Sequence, residues 1–232
     1  MNIAIILAAG SGTRMGSKTP KQFIEIEGKT LMEYSISAFE QNDNIDEIAV
    51  VTKEEFFPLV ESFIEKNGFR KVRKLLKGGK ERYDSSLAAI NAYTNDDDNL
   101  FLHDCVRAGV SQNIINECAR GLEKYDAIEI GVEPTDTVVG IDEDGCITDI
   151  PVRSMLRNAQ TPQCFRRGTI KRAFDIALQD PDFKATDDCG VVHKYLPEVK
   201  IFVAKGEQEN FKVTFPEDIE RFRKMLLTLP NR

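Results

Sequence analysis

The stretch that most constrains this chain is Leu7-Ala8-Ala9-Gly10-Ser11-Gly12-Thr13-Arg14-Met15-Gly16, with Pro20-Lys21-Gln22 shortly after it. It follows Ile3–Leu7, a branched apolar run that reads as a buried strand. The strand empties into a loop of small residues that carries Gly10, Gly12 and Gly16 together with Arg14, Lys18 and Lys21. Glycine lets a backbone approach a ligand closely and leaves N–H groups free to face it. Cations on the same loop suit a polyanion such as a nucleoside triphosphate. The reading is a phosphate site at the carboxyl end of a first strand.

Two better-known glycine loops fail on spacing. A dinucleotide fingerprint needs G-x-G-x-x-G, but Met15 takes the third glycine's place and Gly16 arrives one residue late. A Walker A loop needs G-x-x-x-x-G-K-[ST], yet Gly16 is again one residue late and Ser17 stands where the lysine should be.

Apolar, β-rich runs recur at Ile3–Leu7, Ile48–Val51, Asn99–Leu102 and Ala127–Val132, with helical patterns between them. Thr30-x-x-Glu33 is a capping box, in which hydroxyl and carboxylate satisfy the free N–H groups of a first turn. Thr52-x-x-Glu55 repeats the device, and Gly68 suits the end of the helix it would start. Ser86–Tyr93 and Asn113–Leu122 are the next helices, and Thr214-x-Pro216-Glu217 opens the last one. Strands and helices in alternation predict an α/β sandwich with a largely parallel sheet. Ligands in such sheets bind outside the carboxyl ends of the strands, where the glycine loop and His103-Asp104 both fall. After Val132 the rhythm breaks. The acidic turn Gly140–Gly145, with β-branched residues on either side, reads as a hairpin. Such a hairpin is marginal by itself and needs something to pack against.

At 232 residues the chain fits one domain spanning 1–232. Its net charge of −7 argues against a nucleic-acid binder, so phosphate recognition has to come from a local cluster of cations. The cysteines at 105, 118, 146, 164 and 189 have no metal-ligand spacing, and reduced thiols in a cytosol are the natural reading. The run Ile3–Ala9 is too short for a membrane span and lacks a preceding cationic segment, so neither a signal peptide nor a membrane location is expected.

The glycine loop and its P-K-Q resemble the signature of the cytidylyltransferases that load CMP onto sugar-alcohol phosphates. That family includes methylerythritol-phosphate enzymes of isoprenoid synthesis and ribitol-phosphate enzymes of wall and capsule synthesis. The match continues in order through Gly78-Gly79-Lys80-Glu81-Arg82, Asp84-Ser85, His103-Asp104-x-x-Arg107, Asp136-Thr137, Arg153, Gln160-Thr161-Pro162-Gln163, Thr186-Asp187 and Lys212-Val213-Thr214. It covers essentially the whole chain. The resemblance implies a Rossmann-like nucleotidyltransferase sandwich in which a β-arm, at about 134–155, embraces a second subunit of a homodimer.

The implied reaction is attack by a phosphate oxygen of a polyol phosphate on the α-phosphorus of CTP, expelling pyrophosphate. Both reactants are anions, so positioning and charge neutralisation carry the catalysis. By resemblance, Arg14 and Lys21 are the catalytic cations on the triphosphate. Ala8, Ala9, Gly10, Gly12, Gly79, Arg82, Ser85 and Asp104 would hold CTP, although Arg82 and Ser85 also suit a plain helix start. Asp104 would in addition help hold Mg²⁺, which otherwise binds mainly phosphate oxygens. Arg107, Thr137, Arg153 and Lys212 match acceptor positions, with Thr137 and Arg153 reaching the partner's site from the arm. His103 reads as a packed strand-end residue rather than a base, because the attacking phosphate is already an anion. Thr161-Pro162-Gln163 reads as structural support, and Thr186-Asp187 as either a site motif or a helix cap.

Two positions depart from the family pattern. Ala108 replaces the proline that often follows the arginine, and Phe211 puts an aromatic beside Lys212. Asp149-Ile-Pro-Val-Arg153 and Asp188-Cys189 lean toward the ribitol branch, whereas Ala8-Ala9-Gly10 leans toward the methylerythritol branch. Methylerythritol 4-phosphate is the leading acceptor and ribitol 5-phosphate the alternative. The rivals from other classes are a nucleotide-sugar pyrophosphorylase using another nucleotide and a nucleotide-binding regulatory subunit.

Overall fold

The computed structural model describes residues 1–10 and 19–228. Their centre is a seven-stranded sheet. In chain order its strands are β1 (Asn2–Leu7), β4 (Glu47–Thr52), β5 (Val72–Lys77), β6 (Asn99–Asp104), β7 (Ala127–Val132), β10 (Asn158–Arg166) and β11 (Ile201–Lys205). They lie side by side as β11-β7-β10-β6-β1-β4-β5. All pairs are parallel except the two that β10 makes, with β6 and with β7. The α/β sandwich read from the sequence is therefore present.

Period-two alternation sends successive strand residues to opposite faces. Ala4 and Ile6 of β1 pack on one side with α1 (Leu31–Glu40), α2 (Phe57–Asn67) and α4 (Gln112–Gly121). Ile3, Ile5 and Leu7 pack on the other with α3 (Arg82–Asn91), α5 (Arg167–Ala177) and α6 (Asp188–Tyr195). A third cluster joins Ile26, Leu31, Val106 and Val213 to Phe222 of α7 (Pro216–Thr228). It ties that last helix to the mouth of the sheet. A two-residue hairpin, β2 (Glu25–Ile26) with β3 (Lys29–Thr30), leads into α1.

The capping box at Thr30 forms as read, with Glu33 N–H donating to Thr30 Oγ1 at 3.2 Å and Thr30 N–H donating to Glu33 Oε2 at 2.7 Å. The box at Thr52 does not. Parallel pairing with Lys77 holds Thr52 in β4, and α2 begins only at Phe57, after a 3₁₀ turn over Glu54–Phe56. Gly68 does end α2, at φ 64°. The box at the last helix is also corrected. Asp218, not Glu217, accepts the N–H groups of Thr214 and Phe215, at 2.8 and 2.9 Å, and the Thr214 hydroxyl donates to Lys212 O. Helix α3 starts at Arg82, four residues before the sequence reading, because Glu81 and Asp84 form a reciprocal cap ahead of it.

The segment after Val132 forms the expected hairpin, β8 (Gly140–Ile141) against β9 (Ile147–Asp149), with Gly145 at φ 81° in its turn.

Candidate active site

The chain runs from β1 outward to β4 and β5, then crosses back to place β6 on the other side of β1. A crevice opens where the strand order reverses, at the carboxyl ends. Leu7 and Asp104 stand side by side there, as the last residues of β1 and β6. The cavity above them measures about 530 Å³. Its walls are the small residues Ala8, Ala9 and Gly10, the start of α3, and the segment from Lys212 to Thr214.

The small-residue loop is held from below. Ala8 N–H donates to Val51 O at 2.8 Å, and Ala8 O accepts from Gln22 Nε2 at 2.8 Å and from Thr52 Oγ1 at 3.4 Å. Gln22 reaches Gly10 O as well, at 3.3 Å, and is itself buried. Opposite, Gly78 meets Ala9 so closely that a Cβ on Gly78 would lie 2.3 Å from the Ala9 Cβ. The glycine pair after β5 is thus a packing requirement of the cavity wall, beyond any role toward a ligand.

Charge is concentrated here. Lys21, Lys53, Lys80, Arg82 and Lys212 line the cavity, against Glu81 and Asp104. This is the local cationic cluster that a chain of net charge −7 needs if it is to bind a polyanion. Asp104 is buried and sits between two of the cations. Lys212 Nζ donates to Asp104 Oδ2 at 2.7 Å, and Arg82 Nε donates to Asp104 Oδ1 at 3.2 Å. Burial alone would raise the Asp104 pKa, but Arg82 and Lys212 outweigh it and hold the carboxyl well below the usual range. Asp104 is a carboxylate at any working pH. Arg82 also donates through Nη1 to Asp188 Oδ2 at 2.7 Å. Lys21, on a 3₁₀ turn over Lys21–Phe23, donates to Val213 O at 3.2 Å.

His103 is fully buried and lies behind Asp104. Its Nε2 faces Arg107 O at 3.2 Å, and a carbonyl can only accept, so Nε2 carries the proton. Nδ1 then accepts from Thr161 Oγ1 at 3.1 Å, while the same oxygen accepts from Asp104 N–H at 3.0 Å. Burial pushes the imidazole down to about 4, so the ring is neutral. His103 is the packed strand-end residue that the sequence suggested, and Thr161 is its support.

The cavity gathers Ala8, Ala9, Gly10, Lys21, Gly79, Arg82, Ser85, Asp104 and Lys212 from the residues singled out in the sequence. Gly12 and Arg14 lie outside the described residues. Arg107, Thr137 and Arg153 are not among the residues lining it. Arg107 turns away to Asn210 O at 3.0 Å and Ala159 O at 3.4 Å. Thr137 is exposed at the base of the hairpin, and Arg153 donates to Thr135 O at 3.0 Å. Asp187 caps α6 through Gly190 N–H at 2.7 Å. Sequence reasoning missed Lys53, Lys80, Gln22 and Asp188 as parts of this site. Lys53 follows the end of β4, and the rule that strand ends face the crevice could have found it. Nothing short of the folded chain brings Asp188 to Arg82.

Comparison with known proteins gives the family. The model of the 2-C-methyl-D-erythritol 4-phosphate cytidylyltransferase (IspD) family matches residues 2–227. The chain belongs to that family. It is accordingly a nucleotidyltransferase, moving CMP from CTP to a polyol phosphate with release of pyrophosphate. A Thermobifida fusca 2-C-methyl-D-erythritol 4-phosphate cytidylyltransferase is 40% identical over 231 residues, covering 97% of this chain and 93% of the relative. A Haemophilus influenzae bifunctional ribulose 5-phosphate reductase/CDP-ribitol pyrophosphorylase is 41% identical over 221 residues, and the match spans 94% of this chain but only 46% of that protein. The crystal structure of a 4-diphosphocytidyl-2C-methyl-D-erythritol synthase from Anaerococcus prevotii superposes with a TM-score of 0.87 at 29% identity, covering 97% of this chain and 96% of its own.

Proposed function

We propose that the chain transfers CMP from CTP to 2-C-methyl-D-erythritol 4-phosphate in the cavity around Asp104. The observation that carries this reading is the cluster of five cations lining one cavity at the switch point of the sheet, two of them paired with a buried, ionised carboxylate. A phosphate-monoester oxygen of the acceptor attacks the α-phosphorus, the bond from that phosphorus to the bridging oxygen breaks, and pyrophosphate leaves with the electron pair. No protein nucleophile takes part. Lys21, with Arg14, neutralises the triphosphate as negative charge shifts to the leaving group. The backbone of Ala8, Ala9 and Gly10 and the start of α3, with Gly79, Arg82 and Ser85, face the cytidine. Close backbone walls favour a pyrimidine because they leave little room for a purine. Lys212 receives the acceptor phosphate.

The residues fit a magnesium ion. Asp104 is held ionised, as a metal ligand must be, and Mg²⁺ typically uses one or two carboxylates plus substrate phosphates. No group of three or more His, Cys, Asp or Glu side chains among the described residues is placed to hold a metal ion, so Asp104 would be the protein's ligand and the triphosphate would supply the rest. The ion would screen the phosphates from one another.

The same reading makes the chain a homodimer through its arm. Val138, Val139, Ile141, Ile147, Ile150, Val152 and Met155 are between 40% and 82% exposed, a run of apolar surface that an isolated hairpin does not keep in water. A second copy would cover it and bring its Thr137 and Arg153 to the acceptor. A cytoplasmic location suits the five free thiols, and no helix among the described residues is long and apolar enough to cross a membrane.

A second acceptor is favoured by one observation, the 41% identity to the CDP-ribitol pyrophosphorylase. Pyrophosphate release with CTP and Mg²⁺ separates the two. A large preference for methylerythritol 4-phosphate supports that acceptor, and a preference for ribitol 5-phosphate replaces it. Equal turnover with UTP or GTP in place of CTP would remove the cytidylyl specificity itself.

A further inference from the structure

Asp188 stands at the start of α6 with its side chain only 1% exposed, yet it belongs to no element of the cavity wall. Its Oδ2 takes Arg82 Nη1 at 2.7 Å, and its Oδ1 is a buried atom with no partner among the described residues. A buried carboxylate left half-satisfied is costly and rarely kept for packing alone. What it does hold is the guanidinium. Arg82 is clamped between Asp188 on Nη1 and Asp104 on Nε, two carboxylates from two different elements, and a planar fork gripped on two edges has its orientation fixed.

Asp188 is in turn gripped from behind. Gln163 of β10 accepts from Asp188 N–H at 2.9 Å through Oε1 and donates to Glu129 Oε2 of β7 at 2.7 Å through Nε2. Gln163 is buried, so the sheet sets where α6 begins and therefore where the Asp188 carboxylate lies. Asp104 has a second cation, Lys212, and its environment must rearrange when a triphosphate arrives. Asp188 is shielded from that exchange. It keeps Arg82 in place whichever group Asp104 is then holding.

We propose that Asp188, set in place by Gln163, is a positioning residue that aims Arg82 at the nucleotide. The proposal rests on the reading of Arg82 as a CTP-binding residue. Charge-assisted hydrogen bonds are about twice as strong as neutral ones, so Asp188→Asn should raise KM for CTP by about five- to tenfold and change kcat by less than about threefold. If the effect runs only through Arg82, then Asp188→Asn made in an Arg82→Ala background should leave KM unchanged from Arg82→Ala alone. A merely structural aspartate would raise KM by the same factor in both backgrounds, and that result overturns the proposal. Arg82→Ala with an unaltered KM for CTP would instead remove Arg82 from the nucleotide, and the positioning role with it. Should Asp188→Asn not fold, Gln163→Met tests the same grip. A raised KM for CTP with kcat retained supports the positioning role, and a loss of kcat at constant KM overturns it.

Discussion

Lys212 and Asp104, 108 positions apart in the chain, meet at 2.7 Å across the mouth of the sheet. The pair closes a line of charge, Asp188 to Arg82 to Asp104 to Lys212, that joins α6, α3, β6 and the segment before α7. Each cation in that line is held by a carboxylate, Arg82 by two of them. An ion pair of this kind keeps cations oriented without immobilising them in a deep core.

Asp104→Asn tests this arrangement. It removes the charge between Arg82 and Lys212, and kcat should fall by about 10²–10³, the range seen when one electrostatic contact to a transition state is lost. Acid stability carries the second readout. The folded carboxyl is depressed, so its stabilisation is complete above the ordinary carboxylate pKa of about 4 and is lost as pH falls below it. Denaturant titrations between neutral pH and pH 3 should show a steeper loss for the parent than for Asp104→Asn. Parallel curves would mean that Asp104 is not held ionised by its neighbours.

His103 gives a prediction of opposite kind. Its pKa is depressed to about 4 by burial, so the neutral ring contributes stability that is full above the unfolded value of 6.5 and lost as pH falls through about 4. Activity should show no limb near pH 6.5 arising from this ring. His103→Asn should lower the melting temperature by several degrees while retaining a measurable rate, since the ring links Thr161 to Arg107 O and packs against Phe39. A bell-shaped kcat profile that vanishes in His103→Asn would assign the ring a proton-transfer role instead.

Gly78→Ala probes the cavity wall. The new methyl would lie 2.3 Å from the Ala9 Cβ, so the two loops must part. Overpacking of this sort costs about 1–3 kcal/mol. The expected result is a lower melting temperature together with a raised KM for CTP, because the wall that moves is the one proposed to face the nucleotide. A change in stability alone would separate the Ala9 wall from nucleotide binding.

The fold was largely legible because its signals are local. Four of the strands were read as apolar runs, and the capping box at Thr30 and the glycine at 68 mark their helix ends as read. Thr52 misled because its motif is local too, while the parallel pairing with Lys77 that overrides it is not. Strand β10 was missed for a similar reason. Its sequence, Asn158–Arg166, is rich in polar residues, and Gln160, Thr161 and Gln163 are buried only because each finds partners on other elements. At the site, the residues on strand-end loops were readable from the rule that ligands gather there. Asp188 and Gln22 act on other residues rather than on a ligand, and no spacing in the chain announces such a contact.

The arm offers the last test. Thr137 and Arg153 sit outside the cavity of their own chain, and the apolar surface beside them is uncovered. If a second copy covers it, each acceptor site is built from two chains, and damage in one chain can be complemented by the other. Lys21→Ala and Arg153→Ala should each reduce turnover severely as homodimers. Mixed by co-refolding, a heterodimer would carry one site with both defects and one with neither, so up to a quarter of wild-type activity should return in a statistical mixture with equal chains. That figure of about one quarter follows from half of the dimers being mixed and half of their sites being intact. A mixture no more active than its parents, with exchange confirmed by native mass spectrometry, would mean that Arg153 serves its own chain or none.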